Sequence, residues 1–491
     1  MKKILSVIFL LQLYNFAFTQ NINDALRYSF LTYGGSARYM SMSGAFSALG
    51  ADLSTLSTNP AGIGVSKKSR FEFTPIIFKE NMGAEYFGSK TEKENYHVNL
   101  NNIGFILNIK PYNESDEFSE WKSIAFGIGY SRLANFYNDV SIKGTNDNSS
   151  RLDLFMLNSD GYHPSEISDP EWIAFDTWLI DTIENSDYTY IHELYDNYGE
   201  EQIKNIKTKG GVGEFVFTLG GNYADLIQIG ATFGIQYLRY IETSDYIENS
   251  DYTDLKTFTY TENLKTIGAG YNFKFGIIYR PLDYIRVAAA FHTPTFYELK
   301  DIYSYSMSSE FTTADSDGYK SYYSEIEEKE YVYEFYSPMR IILGVAFVGT
   351  QYGLLSIDYE YVNYSKARFR SEDYEYEYEN NEIKQNLDRA HNLRIGGEIR
   401  LAPIFLRAGI SYYASPFSQT FNALGSIKSY SLGLGLKTNT SYIDISYNHS
   451  FSDYNYLMYD YDTDVNGNVL SEIAKLSRTD DIITFTIGYK F

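Results

Sequence analysis

Ionisable residues spaced two apart are the first chemistry this sequence offers. Lys274, Arg286, His292, Arg340, Asp358, Glu360, Arg394, Glu398, Arg400, Arg407 and Asp444 all stand on the polar phase of segments whose other phase is apolar. Enclosed together, such groups have two uses. They can brace one another as a charge ladder, or a guanidinium such as that of Arg394 or Arg407, with His292 nearby, can pair with the carboxylate head group of a ligand. Catalysis is a poor fit. The chain has six His and no Cys, which removes thiol chemistry and Cys-ligated zinc, and it carries no nucleophile motif of the G-x-S-x-G kind. No cofactor motif is present, and the sequence reads as that of a non-enzyme.

Two further groups of residues invite a ligand. Asp462-Thr463-Asp464-Val465-Asn466-Gly467 follows the opening of a calcium loop, with Glu472 one place short of the usual closing acid. Asn466-Gly467 is equally the signal for a tight hairpin turn, so Asp462, Asp464 and Asn466 are weak metal candidates. Between Glu166 and Asn205 alternation is lost, and Trp172, Phe175, Trp178, Leu179 and Ile183 take helical spacing. Exposed aromatics there could capture an apolar ligand, with Trp172, Phe175 and Trp178 in first contact, or could pack on neighbouring loops.

The elements that must position these residues are strands. Ile267, Ala269, Tyr271, Phe273, Phe275, Ile277 and Tyr279 alternate with Gly268, Gly270, Asn272, Lys274, Gly276 and Ile278, and no helical period fits. Fourteen such segments are predicted, near 70–80, 97–110, 122–136, 210–222, 226–247, 263–280, 285–307, 331–348, 353–371, 389–401, 404–415, 427–438, 441–454 and 479–491. The links alternate between tight (222–225, 280–284, 349–352, 401–403, 438–440) and long (81–96, 137–209, 248–262, 308–330, 372–388, 416–426, 455–478), apart from an intermediate one at 111–120. An even number of amphipathic strands with short turns on one side and long loops on the other describes a transmembrane β-barrel.

Composition agrees. Tyr, Phe and Gly number 49, 33 and 36. Aromatic side chains suit membrane interfaces. A mean hydropathy of −0.32 leaves no apolar run long enough for a helical span after the leader. The net charge of −22 argues against nucleic acid. Acid gathers in blocks such as 372–379, which read as solvated loops. Lys2 and Lys3, the apolar stretch 4–18 and small residues Ala17 and Thr19 form a secretory leader, so residues 1–20 are assigned to targeting. The expected address is the outer membrane of a Gram-negative cell, among its lipids.

Residues 21–69 do not alternate and form a separate unit before the barrel of 70–491. Within it, Gly35-Ser36-Ala37-Arg38, Met40, Met42, Gly44-Ala45-Phe46, Ala48, Asp52 and Asn59-Pro60-Ala61-Gly62 resemble the N-terminal signature of the FadL/TodX family of outer-membrane transporters. The resemblance implies a fourteen-stranded barrel plugged by an N-terminal hatch, with Asn59, Pro60 and Ala61 as hatch residues. It implies passive uptake of hydrophobic small molecules such as long-chain fatty acids, captured by extracellular loops and released sideways past a kinked early strand. Gly127 and Gly129 in the third strand would suit such a kink. Phe491, two after Tyr489, resembles the terminal signal read by the barrel-assembly machinery. Some barrels of this kind are instead subunits of secretion or assembly complexes, the type IX secretion shuttle among them. Acidic, Tyr-rich extracellular loops would also suit such protein partners.

Overall fold

Alternation becomes a closed wall. The structure is a computed structural model that describes residues 20–491 other than 33, 111–119, 350–351, 419–423 and 460–472. The leader and the Asp462, Asp464, Asn466 motif therefore lie outside the described residues. Fourteen antiparallel strands run in chain order. They are β1 (Arg70–Tyr86), β2 (Ser89–Ile109), β3 (Trp121–Asn135, resumed over Asn138–Asn146), β4 (Glu200–Tyr223), β5 (Ile227–Asn249), β6 (Leu255–Leu282) and β7 (Ile285–His292 and Phe296–Phe311). Then follow β8 (Ser321–Tyr336 and Arg340–Gly349), β9 (Gly353–Asn363 and Arg368–Arg370), β10 (Arg389–Leu401), β11 (Ile404–Tyr413), β12 (Ile427–Lys437), β13 (Ser441–Leu457) and β14 (Ile473–Lys490). The ring closes where β1 pairs with β14, from Arg70↔Lys490 to Glu85↔Lys475. Pro294 and Pro338, which have no N–H to give a ladder, lie in the interruptions of β7 and β8.

Period two sorts the side chains. Phe215, Phe217, Leu219, Phe273, Phe275, Ile277, Leu434, Ile443 and Ile487 point outward and are exposed. An exposed apolar belt on a closed barrel has only hydrocarbon as a compatible surrounding. Among the described residues no helix is long and apolar enough to cross a membrane. The protein is an outer-membrane barrel that crosses with its strands.

Several strands continue far above the belt. The sequence reading ended β1 at 80 and resumed at 97; the ladder instead runs to Tyr86↔Ser89, around a Phe87-Gly88 turn with φ of +45° and +78°. Glu and Lys crowd the β2 half of this hairpin, so neither of its phases reads as apolar and solvent reaches both, whereas the inward phase of β1 (Glu80, Met82, Ala84, Tyr86) is buried. The 308–330 link shortens likewise, with β7 reaching Phe311 and β8 starting at Ser321.

Two bodies fill the barrel. Residues 20–69 form the plug, with helices α1 (Ile22–Ser29) and α2 (Ala37–Met40) and 3-10 turns Leu53–Leu56 and Pro60–Val65. The second body is the loop after β3, with α3 (Arg151–Ser159), α4 (Asp169–Asp176) and a small pairing of Asp181–Thr182 with Tyr190–Ile191. A last helix, α5 (Glu377–Asn386), occupies most of the acidic 372–388 link.

Candidate functional site

Asn59, Pro60 and Ala61 sit at the floor of the plug. Asn59 is fully buried, caps the turn by accepting from Ala61 N at 3.1 Å, and donates through Nδ2 to Ser47 O at 2.8 Å. The wall accommodates them with glycine. A Cβ at Gly276 would stand 1.9 Å from Asn59 Oδ1, and one at Gly230 would stand 2.3 Å from Pro60 O. Inward glycines on β5 and β6 thus let the plug meet the wall backbone.

The inward charges brace this contact. Asp358 Oδ2 accepts from the amides of Phe46 and Ser47 at 2.9 and 2.8 Å, and Oδ1 from Ser47 Oγ at 2.7 Å. Arg407 bridges Glu398 (2.8 Å) and Asp444 (2.6 Å), and Arg38 of the plug reaches the same Glu398 oxygen at 3.1 Å. Arg394 lies 3.4 Å from Glu360, which also pairs with Arg340 at 3.1 Å, while Arg340 in turn donates to Ser29 O of α1. His292 donates through Nε2 to Thr58 O at 2.6 Å. Of the three lumen candidates, Arg394 and Arg407 are engaged by wall carboxylates and His292 by the plug backbone. This arrangement is the ladder alternative.

Between β2 and β3 the wall lacks part of its ladder. β2 and β3 pair only from Asn102↔Ser131 down to Ile109↔Ile124. Above that, β2 keeps β1 on one side while β3 keeps β4 on the other. The plug covers the exposed edge of β3: Thr32 N donates to Leu133 O at 2.9 Å and Gly34 N to Arg132 O at 2.7 Å. From across the gap, Asn101 Nδ2 donates to Gly35 O at 2.7 Å, and Arg132 Nη1 to Asn99 Oδ1 at 3.2 Å. Higher still, the resumed part of β3 turns inside the β1–β2 hairpin, where Asp139 N donates to Glu80 Oε1 at 3.0 Å. Gly127 and Gly129 are not the origin of this departure, for both stay paired with β2 and β4. They make room for the plug, since a Cβ at Gly127 would lie 2.7 Å from Leu56. Just above the last β2–β3 pair, the register of β3 against β4 shifts between Arg132 and Ala134. Sequence reading missed it because Arg132, Leu133 and Ala134 carry no breaker.

The loop after β3 closes the outer mouth as a lid. Leu152, Phe155, Ile173, Leu179 and Leu194 pack against inward residues of β1 (Met82, Tyr86), β5 (Tyr246), β6 (Phe258, Tyr260), β7 (Met307) and β14 (Leu476). Glu248 on β5 clamps the start of α3, accepting from Ser150 Oγ at 2.6 Å and Arg151 N at 2.9 Å. Glu200, buried beside it, is pushed up to about 8 by desolvation and then by the Glu248 carboxylate. The aromatic residues do not form one helical stripe, because α4 ends at Asp176 and Trp178 has φ of +58°. Trp172 and Trp178 are exposed, Phe175 is half-buried, and Leu179 is buried beneath them. Trp178 meets Tyr322 of β8 at 6.4 Å between centroids, and Phe175 meets Tyr190 at 6.3 Å.

No family model and no curated protein sequence matches the chain. Solved structures do. A FadL homologue from Pseudomonas aeruginosa aligns with a TM-score of 0.56 at 12% identity, over 94% of this chain and all of that one. The toluene transporter TodX of P. putida aligns at 0.53 and 11% identity, over 93% of this chain and 99% of that one. The monoaromatic hydrocarbon channel CymD aligns at 0.50 and 10%, over 93% and 98%. At such identity the likeness is one of fold. Barrel, inward plug and strand number together give this chain the fold of the FadL/TodX-type outer-membrane channels.

Proposed function

We propose that the protein is a channel for passive uptake of hydrophobic small molecules, long-chain fatty acids among them. The observation that carries this reading is the unladdered stretch between β2 and β3, which plug residues Thr32, Gly34 and Gly35 cover and a single Arg132–Asn99 side-chain hydrogen bond spans. Plug and lid obstruct the vertical path, whereas the break leaves a lateral route through the wall just above the Tyr130–Phe215 pair, at the upper rim of the apolar belt. From there an apolar solute passes into the bilayer, where it is stable. Trp172, Phe175 and Trp178 are the proposed first contact on the lid. Solved structures of this fold include a monoaromatic hydrocarbon channel and a toluene transporter, which supports the reading.

A cysteine pair, Thr32→Cys with Leu133→Cys, tests it in the oxidised and reduced states. The disulfide should hold the segment on β3 and suppress uptake of a fluorescent fatty acid into proteoliposomes, and reduction should restore it. Equal uptake in both states, with the cross-link shown to be complete, would refute lateral release. A stoichiometric protein partner copurifying in place of lipid-like ligand would favour a role as a complex subunit.

A further inference from the structure

The outer face of β4, β5 and β6 carries a group of cations that the uptake reading leaves unused. Lys209 on β4 lies level with Ile241 on β5, which lies level with Lys265 on β6. Two strand spacings separate the lysines, about 10 Å. Arg239 stands two residues lower on β5, between them. All three point outward, since Thr208, Leu238, Tyr240 and Thr266 on the opposite phase are buried. In a chain with 63 acidic and 41 basic residues, cations usually find carboxylates. Nearby Lys300 does, 2.5 Å from Glu330, and Lys207 lies 3.8 Å from Asp139. Among the described residues no carboxylate comes within ion-pair distance of Lys209, Arg239 or Lys265.

Their height is set by what lies beneath. Phe215, Tyr237 and Tyr271, half-exposed at 53%, 50% and 54%, form the upper rim of the apolar belt on the same three strands. Tyrosine and phenylalanine at that rim mark the hydrocarbon boundary, so the cations stand at the head-group level of the outer leaflet. Above them the outward residues of β5 and β6 are mostly hydroxyls and amides, with the Asp245 carboxylate among them and Lys207 beside them on β4. Thr243 Oγ1 donates to Asn263 Oδ1 at 3.0 Å and Thr261 Oγ1 to Asp245 Oδ1 at 2.7 Å. Farther up lies a groove of about 340 Å³ whose lining includes Thr257, Thr259, Ser308, Glu310 and Tyr323.

We propose that Lys209, Arg239 and Lys265 dock the phosphate groups of an outer-leaflet glycolipid, whose sugar chain lies against the hydroxyl-lined face above. A phospholipid with a single phosphate would use one cation and none of the hydroxyl face. A phosphorylated saccharide with acyl chains uses the cations, the wall above and the apolar belt below.

The test uses the full chain in nanodiscs of zwitterionic phospholipid, with lipid bound per protein read by native mass spectrometry. Bisphosphorylated lipid A should bind far better than the same lipid stripped of phosphate. The combined variant Lys209→Ser, Arg239→Ser, Lys265→Ser should lose about fivefold per charge, roughly a hundredfold in all. Lys90→Ser, Lys428→Ser, Lys475→Ser, matched in charge but placed elsewhere, should bind like the unmodified protein. Heat-dependent gel mobility reports that each variant is folded. Equal binding of both lipid forms, undiminished binding by the first variant, or equally tight binding of phosphatidylglycerol would each overturn the proposal. The lipid comparison needs no variant, so a misfolded substitution would not spare it.

Discussion

Arg407 illustrates what a charge inside a barrel does when water is scarce. Its guanidinium has two carboxylates within 2.8 Å, and one of them, Glu398, is shared with Arg38 of the plug. Removing one partner of such a group leaves the others buried and uncompensated, a loss of about 3–5 kcal/mol. Arg407→Ala should therefore lower the midpoint of heat-induced unfolding strongly and loosen the plug, as read by protease cleavage within residues 20–69. Arg407→Lys should recover only part, because an ammonium cannot bridge both carboxylates in the same fork geometry. At the mouth a different residue sets the response. Glu200 is raised from 4.5 to about 8, so the docked lid favours its neutral form. That contribution is complete below the ordinary carboxylate range and is lost as pH climbs through about 8. Hydrogen exchange of residues 147–199, taken relative to the intrinsic amide rate at each pH, should accelerate between about pH 5 and about pH 9. Glu200→Gln should flatten that rise, and an unchanged slope in the variant would remove Glu200 from the account.

Among the elements, the strap that Thr32, Gly34 and Gly35 lay along β3 is the most exacting. Gly34 is pressed between Asn101 and the Arg132 carbonyl, and a Cβ there would stand 2.1 Å from Asn101 Oδ1 and 2.7 Å from Arg132 O. Gly34→Val should expel the strap and raise leakage of small hydrophobic dyes into proteoliposomes while the barrel stays folded. Strands were readable from the sequence wherever one face met lipid, as in β6, β10 and β14, because period two then shows as apolar against polar. Above the membrane the outward phase of a strand meets water and is polar, and along upper β2 the inward phase (Thr91, Lys93, Asn95) is polar too. The β1–β2 hairpin therefore looked like a loop, and α5 was hidden in an acidic run. The plug was legible through Gly35 to Gly62, whose small residues are demanded by wall glycines such as Gly230 and Gly276. The break between β2 and β3 was not legible. It arises from a ladder between distant segments and from a plug residue pairing with an edge some 100 positions away, and local residue type records neither.

Taken whole, the molecule is a cylinder obstructed twice. Plug and lid have separate apolar cores, the plug's around Tyr39, Phe46 and Leu49 and the lid's around Phe155, Ile173 and Tyr260. They should therefore be separable. Deleting residues 148–198 with a short Gly/Ser replacement should leave a heat-modifiable barrel that stays tight to ions in planar bilayers. Deleting residues 21–69 should open a large steady conductance. If loss of the lid alone produced that conductance, the plug would not be the principal seal.

The height of β6 has one more consequence. From Lys265 to Leu255 the strand climbs roughly 25 Å beyond the head groups once its tilt is allowed for. The lid and its exposed tryptophans are thus held aloft on a collar, clear of the bilayer surface. A greasy solute already dissolved in the outer leaflet would have to leave it and climb to meet them, whereas one arriving from the surrounding medium meets them first. On the proposed uptake route, the collar would have the protein collect from water, with the membrane as its drain.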